Sequence, residues 1–320
     1  MKSKTCMNWN YKINHMKIIM LLGSLFLLSN CSQSIPALMY TSKDQSYAYS
    51  NEIHINYEKL GYGDKKVVFL HGFGTSLHTW DDIKELFPID EFTLYLIDMK
   101  GFGNSSKPED DKYTIEDQAK IVKQFVEDIN TDSLYLVGHS YGGTVALLTQ
   151  ISLINEKSKT KISKLILIDC LAYAQEMPAF IKYLRTPLLN KLTFQLPNKS
   201  RAEYILDKIF YDKNMVNKKL IDRYASYYYG EGLEYTFIKS AEQIDPDGYG
   251  KIISTYKNVL TPCLIIWGNN DSVLSVNNGI RLSNELPHTK LEIIDSCGHV
   301  PQEEKPGITF EKMYAFIKGN

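Results

Sequence analysis

A chain of 320 residues, 44% hydrophobic and 23% charged, has the composition of a folded protein of one or two domains, which excludes an intrinsically disordered chain. Its 36 basic and 37 acidic residues leave a formal net charge of −1, without the basic excess on which nucleic-acid binding rests. Cys6, Cys31, Cys170, Cys263 and Cys297 form no C-x-x-C pair and are odd in number, so no zinc knuckle, redox dithiol or disulfide framework is expected.

At the amino terminus, Lys2, Lys4, Lys12 and Lys17 precede an apolar run from Ile18 to Leu28. A positive flank followed by a run this short is the pattern of a secretory signal segment and falls below the ~20 residues of a membrane helix. The run ends in Leu28-Ser29-Asn30-Cys31, which resembles a bacterial lipobox with Asn30 where glycine or alanine is usual. Residues 1–31 are therefore expected to direct export. Cys31 would carry a lipid anchor at the periplasmic or cell surface; the alternatives are plain secretion and an uncleaved anchor.

The remainder alternates between two periodicities. Continuous apolar runs at Val67–Leu70, Phe92–Ile97, Leu134–Val137, Leu165–Ile168, Leu264–Trp267 and Leu291–Ile294 predict strands buried on both faces, as in a parallel sheet. Glu52–Glu58 alternates and predicts an antiparallel edge strand. Helices are predicted where Ile115, Ile121, Val122, Phe125, Val126 and Ile129 recur at three- and four-residue steps, and over Pro306–Lys318. The expected fold is α/β, with a mostly parallel central sheet flanked by helices. From Leu171 to Asn258 no buried strand is predicted, and 11 of the 22 tyrosines fall there. That stretch, 171–258, reads as an all-helical insertion between the two halves of the core, 32–170 and 259–320.

Gly138-His139-Ser140-Tyr141-Gly142 follows a predicted strand and precedes the helical run Thr144–Leu153. A G-x-S-x-G pattern arises by chance somewhere in a chain of this length with a probability on the order of 0.1. The strand–turn–helix context supplies the specificity, because a serine lifted on a strained turn needs small neighbours for strand and helix to approach.

With this motif the chain resembles the α/β-hydrolase superfamily from about Ile53 to Ile317. His71-Gly72-Phe73-Gly74 resembles its H-G-x-G loop, and Asp98-Met99-Lys100-Gly101-Phe102-Gly103-Asn104-Ser105 its D-x-R-G-x-G-x-S loop, with Lys100 for arginine. Trp267-Gly268-Asn269-Asn270-Asp271 resembles the segment carrying the acid, and Cys297-Gly298-His299 the turn carrying the histidine. The resemblance implies Ser140 as nucleophile, His299 as base and Asp271 as acid, with backbone N–H groups of Phe73 and Tyr141 as oxyanion donors. It also implies a helical cap over 171–258. Asp169, at another strand end, is the rival acid, while His71, His78 and His139 read as scaffold. Asp98 and Lys100 read as loop ties and Cys297 as an inert thiol. No spacing suggests a metal or cofactor. The expected activity is a serine hydrolase cleaving a carboxylic ester with an apolar part, a small ester or lipid. Carbon–carbon bond hydrolysis by the same three residues and non-catalytic ligand binding are the alternatives. Serine at the elbow argues against the family's epoxide- and halide-cleaving members, which carry aspartate there.

Overall fold

The computed structural model describes residues 44–129, 131, 133–244 and 252–319. The signal-like segment and Cys31 lie outside the described residues. Eight strands form one sheet: β1 (Asp44–Ala48), β2 (His54–Leu60), β3 (Lys65–Leu70), β4 (Phe92–Ile97), β5 (Ser133–His139), β6 (Lys161–Ile168), β7 (Cys263–Gly268) and β8 (Thr289–Ile294). Their order is β1-β2-β4-β3-β5-β6-β7-β8. The pairings β1–β2 and β2–β4 are antiparallel, and every later pairing is parallel.

Why the apolar runs are strands is visible in where alternate residues go. Val68 and Leu70 enter a core on one face of β3, whereas Val67 and Phe69 enter a separate core on the other. A strand covered on both faces buries every side chain, and at ~1.5–3 kcal/mol for each large apolar group this overrides any helical preference. The first core is covered by α2 (Ile115–Asp128) and α3 (Tyr141–Asn155), the second by α1 (Asp81–Lys84) and α11 (Pro306–Lys318). Thr114 and Asp117 form a capping box that starts α2, the Thr114 hydroxyl accepting the Asp117 N–H at 3.0 Å. Pro306, with no N–H to lose, opens α11.

One expectation needs correction. The alternating segment at Glu52–Glu58 becomes β2, but it is not the edge, because β1 pairs outside it. The sequence of β1, Asp-Gln-Ser-Tyr-Ala, has no apolar alternation to announce it. Its hold is tertiary: the Tyr47 ring meets Phe125 edge-on at 5.0 Å, and its hydroxyl donates to Asp128 at 2.5 Å.

Between β6 and β7 the described residues hold five helices: α4 (Ala179–Arg185), α5 (Leu189–Gln195), α6 (Asn198–Ile209), α7 (Lys218–Ser226) and α8 (Leu233–Glu242). After β7 come α9 (Val276–Glu285), β8, the short α10 (Pro301–Glu304) and α11. No helix among the described residues is long and apolar enough to cross a membrane.

The strand order places a crevice where chain direction across the sheet reverses, between β3 and β5. Loops leaving the carboxyl ends of those strands diverge there, which is where open α/β sheets bind ligands.

Candidate active site

Ser140 stands at that crevice, on the turn from β5 into α3. Its backbone holds φ 51° and ψ −117°, a left-handed conformation that costs a non-glycine residue about 1–3 kcal/mol. Two hydrogen bonds pin the turn: Ser140 N–H donates to the Ile168 carbonyl at 2.8 Å, and Gly143 N–H to the Ser140 carbonyl at 3.0 Å. The glycines are required by contact. A Cβ on Gly142 would sit 2.6 Å from the Leu70 carbonyl oxygen, and one on Gly143 would sit 2.8 Å from Cys170 Sγ. The Ser140 side chain makes no capping bond to α3, which frees the hydroxyl to point elsewhere.

It points at a histidine. His299 Nε2 lies 3.0 Å from Ser140 Oγ, and His299 Nδ1 lies 2.7 Å from Asp271 Oδ2. These residues leave the ends of three different strands, β5, β7 and β8. Asp271 is held in turn by the N–H groups of Val273 and Leu274, which donate to its Oδ1 at 2.7 and 2.9 Å. With Nδ1 donating to the carboxylate, Nε2 is the free lone pair facing the hydroxyl, which is the tautomer that proton abstraction needs.

Asp169 is close but differently used. It follows β6 at φ 42°, is fully buried, and accepts the Gly268 N–H at 3.0 Å through Oδ1. Its Oδ2 has no hydrogen-bond partner among the described residues. Burial, and then the neighbouring Asp271 carboxylate, push its carboxyl well above the usual carboxylate range. A neutral Asp169 can donate a proton toward Asp271 but cannot stabilise an imidazolium. Asp169, Asp271 and His299 each place one donor atom within 4.8 Å of the others, the spacing of a small metal cluster. Within that set His299 Nδ1 is already bonded to Asp271.

The loop after β3 faces the serine. A Cβ on Gly72 would lie 3.4 Å from Ser140 Cβ, and Phe73 lines the same cavity as Ser140 and His299. Tyr141 is the first residue of α3, where a helix's N–H groups have no acceptor of their own and its dipole favours negative charge. Phe73 thus lines the cavity onto which Ser140 opens, and Tyr141 starts α3 next to Ser140. That cavity is about 330 Å³, with walls mainly of aromatic and aliphatic side chains such as Phe180, Phe194, Tyr228 and Phe237.

His71, His139 and His78 are engaged elsewhere, and His139 also lines the cavity wall. His71 Nε2 accepts the Met99 N–H at 3.0 Å, and its Nδ1 bonds the Gly72 carbonyl at 2.7 Å. His139 Nε2 bonds the carbonyl of His299 at 2.7 Å. Burial first, and then the nearby His299, hold the His139 ring well below the usual histidine range, so it stays neutral. His78 pairs with Asp81 at 3.2 Å. Asp98 ties its loop by accepting from Leu77 N–H, Asn56 Nδ2 and Asn104 N–H at 2.7–2.8 Å. Lys100 is buried, paired with Asp110 at 2.6 Å and seated over the Tyr113 ring. Burial pushes the Cys297 thiol up, which leaves it protonated and inert.

The match to family models decides the family. Residues 65–306 match the alpha/beta hydrolase fold. The chain belongs to that family. Among curated relatives it is 28% identical over 261 residues to the "Uncharacterized hydrolase YugF" of Bacillus subtilis, covering 80% of this chain and 91% of the relative. It is 24% identical to the 2-hydroxy-6-oxononadienedioate/2-hydroxy-6-oxononatrienedioate hydrolase of Escherichia coli, covering 79% and 86%. It is 29% identical to monoacylglycerol lipase abhd6-B of Xenopus laevis, covering 78% and 74%. A solved esterase from Thermogutta terrifontis superposes with TM-score 0.70 at 20% identity, over 87% of this chain and 98% of that one. The eight-stranded, mostly parallel sheet is the one an alpha/beta hydrolase requires, and its relatives are hydrolases.

Sequence reasoning missed two residues of this alpha/beta hydrolase that hold the site in place. Glu304 is buried and accepts the N–H groups of Gly298, Tyr211 and Asp212 at 2.6, 3.2 and 2.6 Å, tying the His299 turn to the segment after α6. His299 N–H donates to the Ile209 carbonyl at 2.7 Å across the same junction. Glu303, also buried, pairs with Arg223 and accepts from Thr79 and Tyr224 hydroxyls at 2.5 and 2.6 Å. In one dimension Gln302-Glu303-Glu304 reads as a solvated charge pair opening a helix. The available signal was weak: two adjacent acids four and five residues beyond His299.

Proposed function

We propose that this alpha/beta hydrolase cleaves a carboxylic ester with an apolar acyl or alcohol part, through an acyl-enzyme on Ser140. The Ser140 hydroxyl attacks the ester carbonyl while His299 Nε2 takes its proton. Asp271 keeps the imidazole in the required tautomer and stabilises the imidazolium. The developing oxyanion takes the N–H groups of Phe73 and Tyr141, each worth ~3 kcal/mol in such a site. His299 then protonates the leaving alcohol, and a water activated the same way releases the acid.

The observation that carries this reading is the unbroken chain Ser140 Oγ–His299 Nε2 at 3.0 Å and His299 Nδ1–Asp271 Oδ2 at 2.7 Å, open to an apolar cavity. The cavity supports that substrate class, because aromatic walls favour a hydrocarbon chain and add few polar anchors. A fluorophosphonate probe tests the enzyme against the non-catalytic reading. Labelling of the wild type that vanishes in Ser140→Ala supports it, and a wild type that resists labelling sinks it. A para-nitrophenyl ester series of rising chain length then defines the acyl preference. Export through residues 1–31 with lipidation at Cys31 belongs to the same proposal, and its support is the lysine-flanked apolar run and the Leu-Ser-Asn-Cys end of that segment.

One observation favours a second reading, carbon–carbon bond hydrolysis. Arg201 lines the cavity, stacks on Phe194 and Tyr228, and keeps a buried Nε with no partner among the described residues. A cation there suits a substrate carrying a carboxylate, such as the dioate in the name of the Escherichia coli relative. Turnover of a 2-hydroxy-6-oxo-dienoate faster than of any simple ester would establish this reading instead.

A further inference from the structure

Around the mouth of the cavity the cap turns apolar side chains to solvent. Leu189, Leu192 and Leu196 follow one another at three- and four-residue steps along α5 and its end, so they share one side of the helix, and Leu196 also lines the cavity. Leu188 is 67% exposed and Leu192 49%. Leu188 further holds φ 73°, a left-handed conformation suited to asparagine or glycine. Strain in the backbone and a solvated leucine both oppose the folded state, and so exposed a side chain returns little packing.

The charge along this stretch of the chain is one-sided. Residues 177–202 contain Lys182, Arg185, Lys191, Lys199 and Arg201 and no aspartate or glutamate, in a chain whose net charge is −1. The first four are exposed. Lys182 and Lys199 pair with Glu176 and Asp222 outside the stretch, but such pairs are exposed and weak.

We infer that this leucine face of the cap docks on an anionic lipid surface and takes apolar ester from that surface directly into the cavity. Leucines entering the headgroup boundary remove their exposed area from water, and the surrounding cations meet lipid phosphates. Because the leucine row runs into the cavity wall at Leu196, a hydrocarbon tail need not cross water to reach Ser140. The inference rests on the ester reading for its substrate, not for the surface itself.

The full chain tests it with two substrates: soluble para-nitrophenyl butyrate, and para-nitrophenyl palmitate in phosphatidylcholine vesicles with or without phosphatidylglycerol. Phosphatidylglycerol is expected to raise the wild-type vesicle rate about tenfold. The triple variant Leu188→Asn, Leu189→Gln, Leu192→Gln replaces no residue that lines the cavity. It should keep the butyrate rate within about twofold and lose about tenfold or more on vesicles. Lys182→Glu with Lys191→Glu should remove the phosphatidylglycerol advantage. A triple variant with the wild-type vesicle rate, or a wild type indifferent to phosphatidylglycerol, overturns the inference. So does a triple variant whose butyrate rate rises while its vesicle rate holds, since the face would then be covered by the chain's own leading segment. If the wild type hydrolyses neither ester, the ester reading fails, and Leu192→Trp decides the surface separately. An emission blue shift with phosphatidylglycerol vesicles, beyond that of the wild type, sustains the docking face, and no added shift refutes it.

Discussion

Asp169 and Asp271 leave the ends of the adjacent strands β6 and β7 and bring carboxylate oxygens within 4.8 Å of each other, yet His299 Nδ1 bonds Asp271 Oδ2 at 2.7 Å while Asp169 accepts a backbone N–H. The two acids are thus used differently: Asp271 faces the imidazole, and Asp169 holds the Gly268 N–H.

Replacing Asp271 by asparagine keeps the shape but presents an amide to His299 Nδ1, which favours the wrong tautomer. Asp271→Asn should lower kcat by about 10³–10⁴ with an unchanged circular dichroism spectrum. Steady-state kinetics on the best ester measures this. A loss under tenfold would return the acid's role to Asp169.

Asp169→Asn should behave oppositely. Asparagine reproduces a protonated carboxyl, its oxygen accepting the Gly268 N–H and its amide donating toward Asp271, so kcat/KM should stay within about threefold. The variant also isolates a pH effect. Burial and the Asp271 carboxylate raise the folded-state pKa of Asp169 above its unfolded value near 4, so between the two values the native state binds the extra proton. Its stability contribution is full below that unfolded value and falls, by up to ~1.4 kcal/mol per pH unit, as pH rises toward the raised folded value. Thermal melts should therefore show Asp169→Asn gaining on the wild type from pH 5 to pH 8. A constant difference across that range would contradict a neutral Asp169.

Glu304→Ala would strip the acceptor from three backbone N–H groups at a buried junction. At ~1 kcal/mol or more for each orphaned donor the cost is about 3 kcal/mol, or roughly 5–10 °C in Tm. Because those donors belong to the His299 turn and the segment after α6, kcat should fall along with stability. Differential scanning calorimetry with kinetics well below the new Tm checks both. Normal melting would mean that the junction is held elsewhere.

Arg201→Met keeps the side chain's bulk and removes its charge from the cavity. Uncharged esters should be hydrolysed within about threefold of the wild-type rate, and esters ending in a free carboxylate about tenfold or more slower. Equal effects on both substrates would deny Arg201 any part in choosing charge.

Much of this architecture is legible in the residues because burial writes itself into strands. The runs at Phe92–Ile97 and Leu264–Trp267 lie wholly within β4 and β7, buried at every position. The loss of strand pattern after Leu171 coincides with the helices α4 to α8. β1 was invisible because its polar sequence is held by Tyr47 against a helix about 80 residues away. Glu303 and Glu304 were invisible for the same reason, since a buried carboxylate is defined by donors that only the fold assembles. Ser140, Asp271 and His299, named from the motifs that carry the resemblance, form one hydrogen-bonded chain through His299 in the structure. Asp271 is the acid that the resemblance implies, with Asp169 as rival because both follow strands, and it is Asp271 Oδ2 that lies 2.7 Å from His299 Nδ1.

The most direct test is peptide mapping of the protein after rapid quenching during turnover of a para-nitrophenyl ester. An acyl group on the peptide containing Ser140, accumulating in the wild type and missing from Ser140→Ala together with activity, is the outcome the proposed mechanism predicts. Undiminished hydrolysis by Ser140→Ala, or an acyl group carried on any other residue, would contradict it.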